Sequence, residues 1–132
     1  MTPAICVALV IFFEAGIEPP IGQAATGWVV VNSAKTMYKK PVSICWEALH
    51  SGRYIGVNNN FNAEQMPSNI VWRHSLKIAK EILSGNLPDP TMGAIAFECT
   101  NKKACAVPPP WSVGMEYRGR FGTQDFWKRI KK

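Results

Sequence analysis

The stretch Ile5-Cys6-Val7-Ala8-Leu9-Val10-Ile11-Phe12-Phe13 is apolar at every position and is closed by a single carboxylic acid, Glu14. Thr2 and Pro3 supply a capping hydroxyl and a proline for a first helical turn, so the spacing predicts a helix that runs to about Ala15 and ends at Gly16. Ile5, Ala8, Leu9 and Phe12 share one helical face, while Val7, Val10 and Ile11 occupy the opposite one. A helix without a wet side must be surrounded by other elements, which makes this one the centre of the fold. It falls well short of the roughly 20 residues that span a bilayer. A carboxyl set into such surroundings is held toward its protonated form, because low polarity disfavours the ion, and a protonated carboxyl is a proton donor.

With 132 residues, the chain is expected to form one domain over 1–132 around one hydrophobic core. Fifteen Lys plus Arg against nine Asp plus Glu give a net charge of +6. The excess gathers after Arg118, at Arg120, Lys128, Arg129, Lys131 and Lys132. Such a surface favours polyanions such as nucleic acid, anionic lipid or an acidic cell envelope, although a solvated basic tail has the same composition. No motif of a nucleic-acid-binding module accompanies it. The n-region lacks a positive charge and no small-residue cleavage site follows, so a soluble protein without its own export signal is expected.

Cys6, Cys45, Cys99 and Cys105 form no Cys-x-x-Cys pair, and His50 and His74 lie far from any such pair, which argues against a metal site. Cys99 and Cys105 bracket a short loop that an oxidising compartment would allow to bridge, whereas Cys6 and Cys45 read as buried thiols in apolar runs.

Beyond Pro19-Pro20 the spacing of Ile21, Ala24, Ala25 and Trp28 predicts a second helix to about Asn32, with small residues that allow close packing on the first. The two helices should form a hairpin around Glu14. Ser43 to His50 is a short helical candidate, Ser51-Gly52 a turn, and Asn58-Asn59-Asn60-Phe61-Asn62 a polar loop and cleft wall. From 67 to 84 a helix is expected, capped by Ser68 and stopped by Gly85, with Val71, Ile78, Ala79, Ile82 and Leu83 buried. Residues 94–99 and 121–127 read as two short strands, and Pro108-Pro109-Pro110-Trp111 as extended chain.

The run from Cys6 through Glu14-Ala15-Gly16-Ile17-Glu18-Pro19, followed by Gly22-Gln23-Ala24-Ala25 and Val29-Val30-Val31-Asn32, resembles the cell wall hydrolase family that contains the spore cortex-lytic enzymes of germinating bacteria. Its first motif is an apolar helix ending in Glu-Ala-Arg-Gly-Glu-Pro, then an Ala-rich helix. Further matches follow in family order: Cys45, the 72–83 helix, Asp89-Pro90-Thr91, Gly93-Ala94-Ile95-Ala96-Phe97, Pro110-Trp111 and the closing Phe121-Gly122-Thr123-Gln124-Asp125-Phe126-Trp127. Three positions depart from the pattern. Gly16-Ile17 replaces Arg-Gly, Arg53-Tyr54-Ile55-Gly56 stands near an altered Gln-Phe-Ser-Trp motif, and Gln124 occupies the place of a histidine.

The resemblance implies an α+β, mainly helical, lysozyme-like domain with a small β element that cleaves peptidoglycan between N-acetylmuramic acid and N-acetylglucosamine without cofactor or metal. Glu14 would then be the acid, and Glu18 a structural acceptor for backbone amides in the turn before Pro20. The family's similarity to transglycosylases favours one glutamate acting as acid and then base; a hydrolytic lysozyme with a second carboxylate is the rival, and a silent basic glycan- or polyanion-binding module is the non-enzymatic one. Because sugar sites combine aromatic faces with amides, Tyr54, Asn60, Phe97, Trp111, Tyr117 and Gln124 are candidate groove residues, with core packing the competing role for Phe97 and Trp111. Trp28 and Trp72 are expected in the core, and His50 and His74 on the surface or in packing. Size, charge and the missing signal suit a monomeric bacteriophage endolysin. It would wait in the host cytoplasm until release and then touch lipopolysaccharide or the wall through its basic tail.

Overall fold

The structure, a computed structural model, describes residues 1–99 and 110–130. Helix α1 spans Pro3–Ala15, and the Thr2 hydroxyl accepts the Ile5 N–H at its start. Every residue from Cys6 to Ile11 is fully buried, so the all-apolar stretch is the central helix that its pattern demands. Around it pack α2 (Pro20–Thr36), α3 (Ile44–His50), α4 (Ile55–Asn60) and α5 (Ile70–Leu83). Helices α1 and α2 approach closely at Gly27, where a Cβ atom would lie 2.6 Å from Ile82 Cδ1 and 3.0 Å from Ile11 Cδ1.

Strands β1 (Ala96–Cys99), β2 (Met115–Phe121) and β3 (Gln124–Arg129) form an antiparallel sheet in the order β1-β3-β2. Phe126 is fully buried and carries the sheet into the helical core. The architecture is therefore mainly helical with a small β element, as expected.

Several local expectations need correction. Residues 121–127 are not one strand: Phe121 ends β2, Gly122-Thr123 turns the chain, and β3 begins at Gln124. Gly122 has φ +69°, a conformation glycine adopts freely, so the Gly-Thr pair is a tight hairpin turn. The polar 58–62 segment is not all loop either, because α4 runs through Asn60, anchored by buried Val57. That tertiary contact overrides the poor helix propensity of three asparagines.

Helix α2 continues past Asn32 to Thr36. Helix α5 is capped by Asn69, whose side chain accepts the Trp72 N–H, rather than by Ser68. Its buried face is Trp72, Ser75, Ile78, Ala79 and Ile82, with Leu83 turned outward. Pro110–Ser112 is a short 3-10 helix, and Pro108 and Pro109 lie outside the described residues.

The cysteine expectation is also overturned. Cys6 and Cys45 are not thiols but a disulfide that ties the first turn of α1 to the first turn of α3, with Cα atoms 5.2 Å apart. Pairing follows proximity in the fold, which apolar flanking sequence does not reveal. The proposed partner of Cys99, Cys105, lies outside the described residues.

Candidate active site

Glu14 sits in the last turn of α1, half-buried, and opens into a groove of about 630 Å³. Burial of the side chain raises its pKa above the ordinary carboxylate value, and a hydrogen bond from the Gly56 N–H opposes part of that rise. Gly56 belongs to the first turn of α4, where backbone N–H groups have no partner within the helix. The approach requires glycine: a Cβ there would stand 2.6 Å from Glu14 Oε2 and 3.0 Å from the Phe13 carbonyl oxygen.

Four of the six candidate groove residues line the same groove: Tyr54, Phe97, Trp111 and Gln124. Tyr54 is buried and donates its hydroxyl to Glu47 Oε2 at 2.6 Å. Phe97 packs on Phe126 with ring centroids 5.7 Å apart, so it serves both core and groove. Trp111 is 42 % exposed and stands edge-on to Trp127, which leaves ring surface open to a ligand. Gln124 is buried; its Nε2 donates to the Glu14 carbonyl and its Oε1 accepts from the Thr26 hydroxyl, both at 3.3 Å.

The other two lie elsewhere. Asn60 is exposed and donates to the Gly56 carbonyl at 2.8 Å, which braces α4 rather than the groove wall. Tyr117 lies against Trp127 and donates its hydroxyl to Asp125 at 2.7 Å, outside the groove lining.

Glu18 is a structural acceptor, but of a different turn from the one expected. Its two carboxylate oxygens accept from the Thr123 N–H and the Thr123 hydroxyl, each at 2.7 Å, and so hold the β2–β3 hairpin. A Cβ at Gly122 would fall 2.1 Å from Glu18 Oε1, a second reason for glycine at that turn.

Trp72 is buried, and Trp28 packs against the core while donating to the Leu87 carbonyl at 3.1 Å. His50 is exposed, and His74 Nδ1 lies 3.1 Å from Gln23 Oε1. Among the described residues, no three His, Cys, Asp or Glu side chains cluster in a way that would hold a metal ion.

Sequence reasoning passed over Arg53, Glu98 and Arg129, all of which line the groove. Arg53 was visible only as part of an altered motif, and Glu98 as one residue of a short strand. What brings them to the groove is the order β1-β3-β2 and the turn ahead of α4. The assembled site offers a carboxylic acid held toward its protonated form, an amide, two arginines, a second carboxyl and aromatic surface. Such a set can protonate a leaving oxygen inside a partly shielded cleft.

No known family's sequence pattern matches the chain, and no curated protein matches it. Solved structures do. The catalytic domain of the Bacillus cereus SleB protein superposes with a TM-score of 0.74 at 17 % identity, covering 96 % of this chain and 89 % of that one. The catalytic domain of the germination-specific lytic transglycosylase SleB from Bacillus anthracis superposes with a TM-score of 0.72 at 18 % identity, covering 97 % and 96 %. The chain thus has the lysozyme-like fold of these catalytic domains over nearly its whole length.

Proposed function

We propose that the protein is a peptidoglycan-degrading glycosidase that cleaves the bond between N-acetylmuramic acid and N-acetylglucosamine as a lytic transglycosylase, with Glu14 as its general acid and base. One observation carries the reading: a half-buried carboxyl whose pKa is raised by burial opens onto a groove with aromatic and amide walls. The fold shared with a catalytic domain described as a lytic transglycosylase supports it.

Departure of the sugar oxygen develops oxocarbenium-like charge at the anomeric carbon and needs a proton on the bridging oxygen, which Glu14 supplies. The resulting Glu14 carboxylate then draws the proton from the muramic C6 hydroxyl. That oxygen attacks the anomeric carbon and closes a 1,6-anhydro ring, and the acid is regenerated without water. Gln124 and Gly56 act on Glu14 itself, one at its backbone and one at its carboxylate.

A hydrolytic course has one observation in its favour, since Glu98 lines the same groove and a lysozyme uses a second carboxylate. Mass spectrometry of muropeptides released from purified sacculi separates the two, because anhydro ends are lighter than reducing ends by one water. Glu14→Gln should abolish release while leaving sedimentation with peptidoglycan intact. Undiminished release by that variant would overturn the catalytic assignment and leave a glycan-binding module.

The biological setting within this proposal is a bacteriophage endolysin acting on the bacterial wall. The net charge of +6 supports contact with an anionic envelope, lipopolysaccharide included. The Cys6–Cys45 disulfide supports action in an oxidising compartment outside the cytosol.

A further inference from the structure

Glu47 is the one acidic residue among those described that is completely buried, and the proposed chemistry does not use it. Three donors converge on its carboxylate. Oε1 accepts from the Tyr38 hydroxyl at 2.5 Å, and Oε2 accepts from the Tyr54 hydroxyl at 2.6 Å and from Arg53 Nη1 at 2.7 Å. A buried carboxylate is tolerated only when so satisfied. Burial, before any other influence, pushes the Tyr54 hydroxyl well above its ordinary pKa and raises that of Tyr38, so both phenols stay protonated as donors.

The donors are not arbitrary neighbours. Arg53 and Tyr54 both line the groove into which Glu14 opens. The second arm of Arg53 bonds the carbonyl of Ile95, the groove residue that leads into β1. Glu47 therefore ties α3 to the 53–54 segment, and through Arg53 to the sheet side of the groove. Two residues past Tyr54, the Gly56 N–H meets the Glu14 carboxylate. With no Cβ on Gly56, the first turn of α4 comes up against Glu14, and the Asn58 N–H bonded to the Tyr54 carbonyl at 3.0 Å joins that turn to Tyr54.

We infer that Glu47 is a positioning residue for the proposed glycosidase reaction: by gripping Arg53 and Tyr54 from within the core, it holds the start of α4 so that Gly56 N–H engages Glu14. The inference rests on Glu14 being the catalytic acid. The charged and titratable groups that line the groove with Glu14 are Arg53 and Tyr54 ahead of α4, Glu98 on β1 and Arg129 on β3.

The test compares Glu47→Gln and Glu47→Asp with the parent chain, using two readouts. The first is the amide shift of Gly56 followed by NMR across pH, which reports the ionisation of Glu14 without any substrate. The second is muropeptide release at saturating and limiting peptidoglycan. The inference expects a displaced Gly56 amide and a titration midpoint moved upward as that bond weakens. It also expects turnover to fall on the order of 10-fold or more, with the half-saturating substrate level changed less.

A folded Glu47→Gln protein with parental Gly56 titration and parental turnover would sink the inference. If that variant does not fold, Glu47→Asp decides, because it keeps the charge facing Arg53 yet draws the carboxylate back by one methylene. Full activity of Glu14→Gln would instead remove the proposed function. The Gly56 titration would still report whether Glu47 sets the geometry.

Discussion

The side-chain amide of Gln124 bonds the carbonyl of Glu14 at 3.3 Å, joining residues 110 positions apart. The bond lands on one of the carbonyls that a helix end leaves without an intrahelical partner. Because Thr26 holds the other end of the same amide, the first residue of β3 ties the end of α1, beside its acid, to α2.

Gln124→Ala should therefore lower both stability and activity. Losing two hydrogen bonds at a buried site, with the Thr26 hydroxyl left unpaired, costs about 1–3 kcal/mol. Chemical denaturation would show it as a lower midpoint. Muropeptide release should fall more than binding, because the groove surface remains while the acid loses its brace.

Gly56→Ala tests the approach on the other side of the acid. Its new methyl group must displace Glu14 Oε2 or the Phe13 carbonyl. Overpacking of this kind costs typically about 1–3 kcal/mol, and misplacement of a catalytic group by about 1 Å costs on the order of 100-fold in rate. Turnover measured well below the melting temperature should drop by that order, and unchanged turnover would show that Gly56 does not touch the working acid.

The pH dependence follows from the direction of the Glu14 shift. Burial raises its folded pKa above the unfolded value, so its contribution to stability is fully present below the unfolded pKa and is lost as pH rises through the folded one. Above its folded pKa the ionised Glu14 thus disfavours the fold, and Glu14→Gln should raise the melting temperature there but not in acid. Because the side chain is only half-buried, the gain is less than about 1 kcal/mol. Melting scans across pH should show the parent and variant curves separating as pH rises. Activity of the parent should fall over the same window, since the donor must carry its proton.

Opening the Cys6–Cys45 bridge should loosen α3 from α1. Its partners are 39 residues apart, and a loop of that length predicts a stabilisation of about 4 kcal/mol in the chain-entropy account. Cys45→Ser or reduction with a thiol should lower the denaturation midpoint by a matching amount. An unchanged midpoint would mean the bridge does not form in solution.

The helical part of this fold was legible because its signals are local. Thr2-Pro3 starts α1, the uninterrupted apolar run declares it central, and Gly85 follows the end of α5. Glu14 was legible for the same reason, as an acid closing that run. The hairpin was missed because Gly122-Thr123 interrupts a stretch that otherwise reads as continuous strand. Glu47 was invisible because nothing around it in sequence marks a buried acid. Its three donors come from residues 38, 53 and 54, and only the packing of α3 on the groove wall brings them together. The same holds for Glu98 and Arg129, which depend on strand order, and for the disulfide, which depends on how α3 meets α1.

The two bonds from Glu18 to Thr123 rivet the tip of the β2–β3 hairpin to the segment between α1 and α2. That end of the cleft is a fixed jaw. Widening to admit the proposed polymer substrate would then fall to the β1 edge of the sheet, which Arg53 and Ser33 join to the helices through the Ile95 carbonyl.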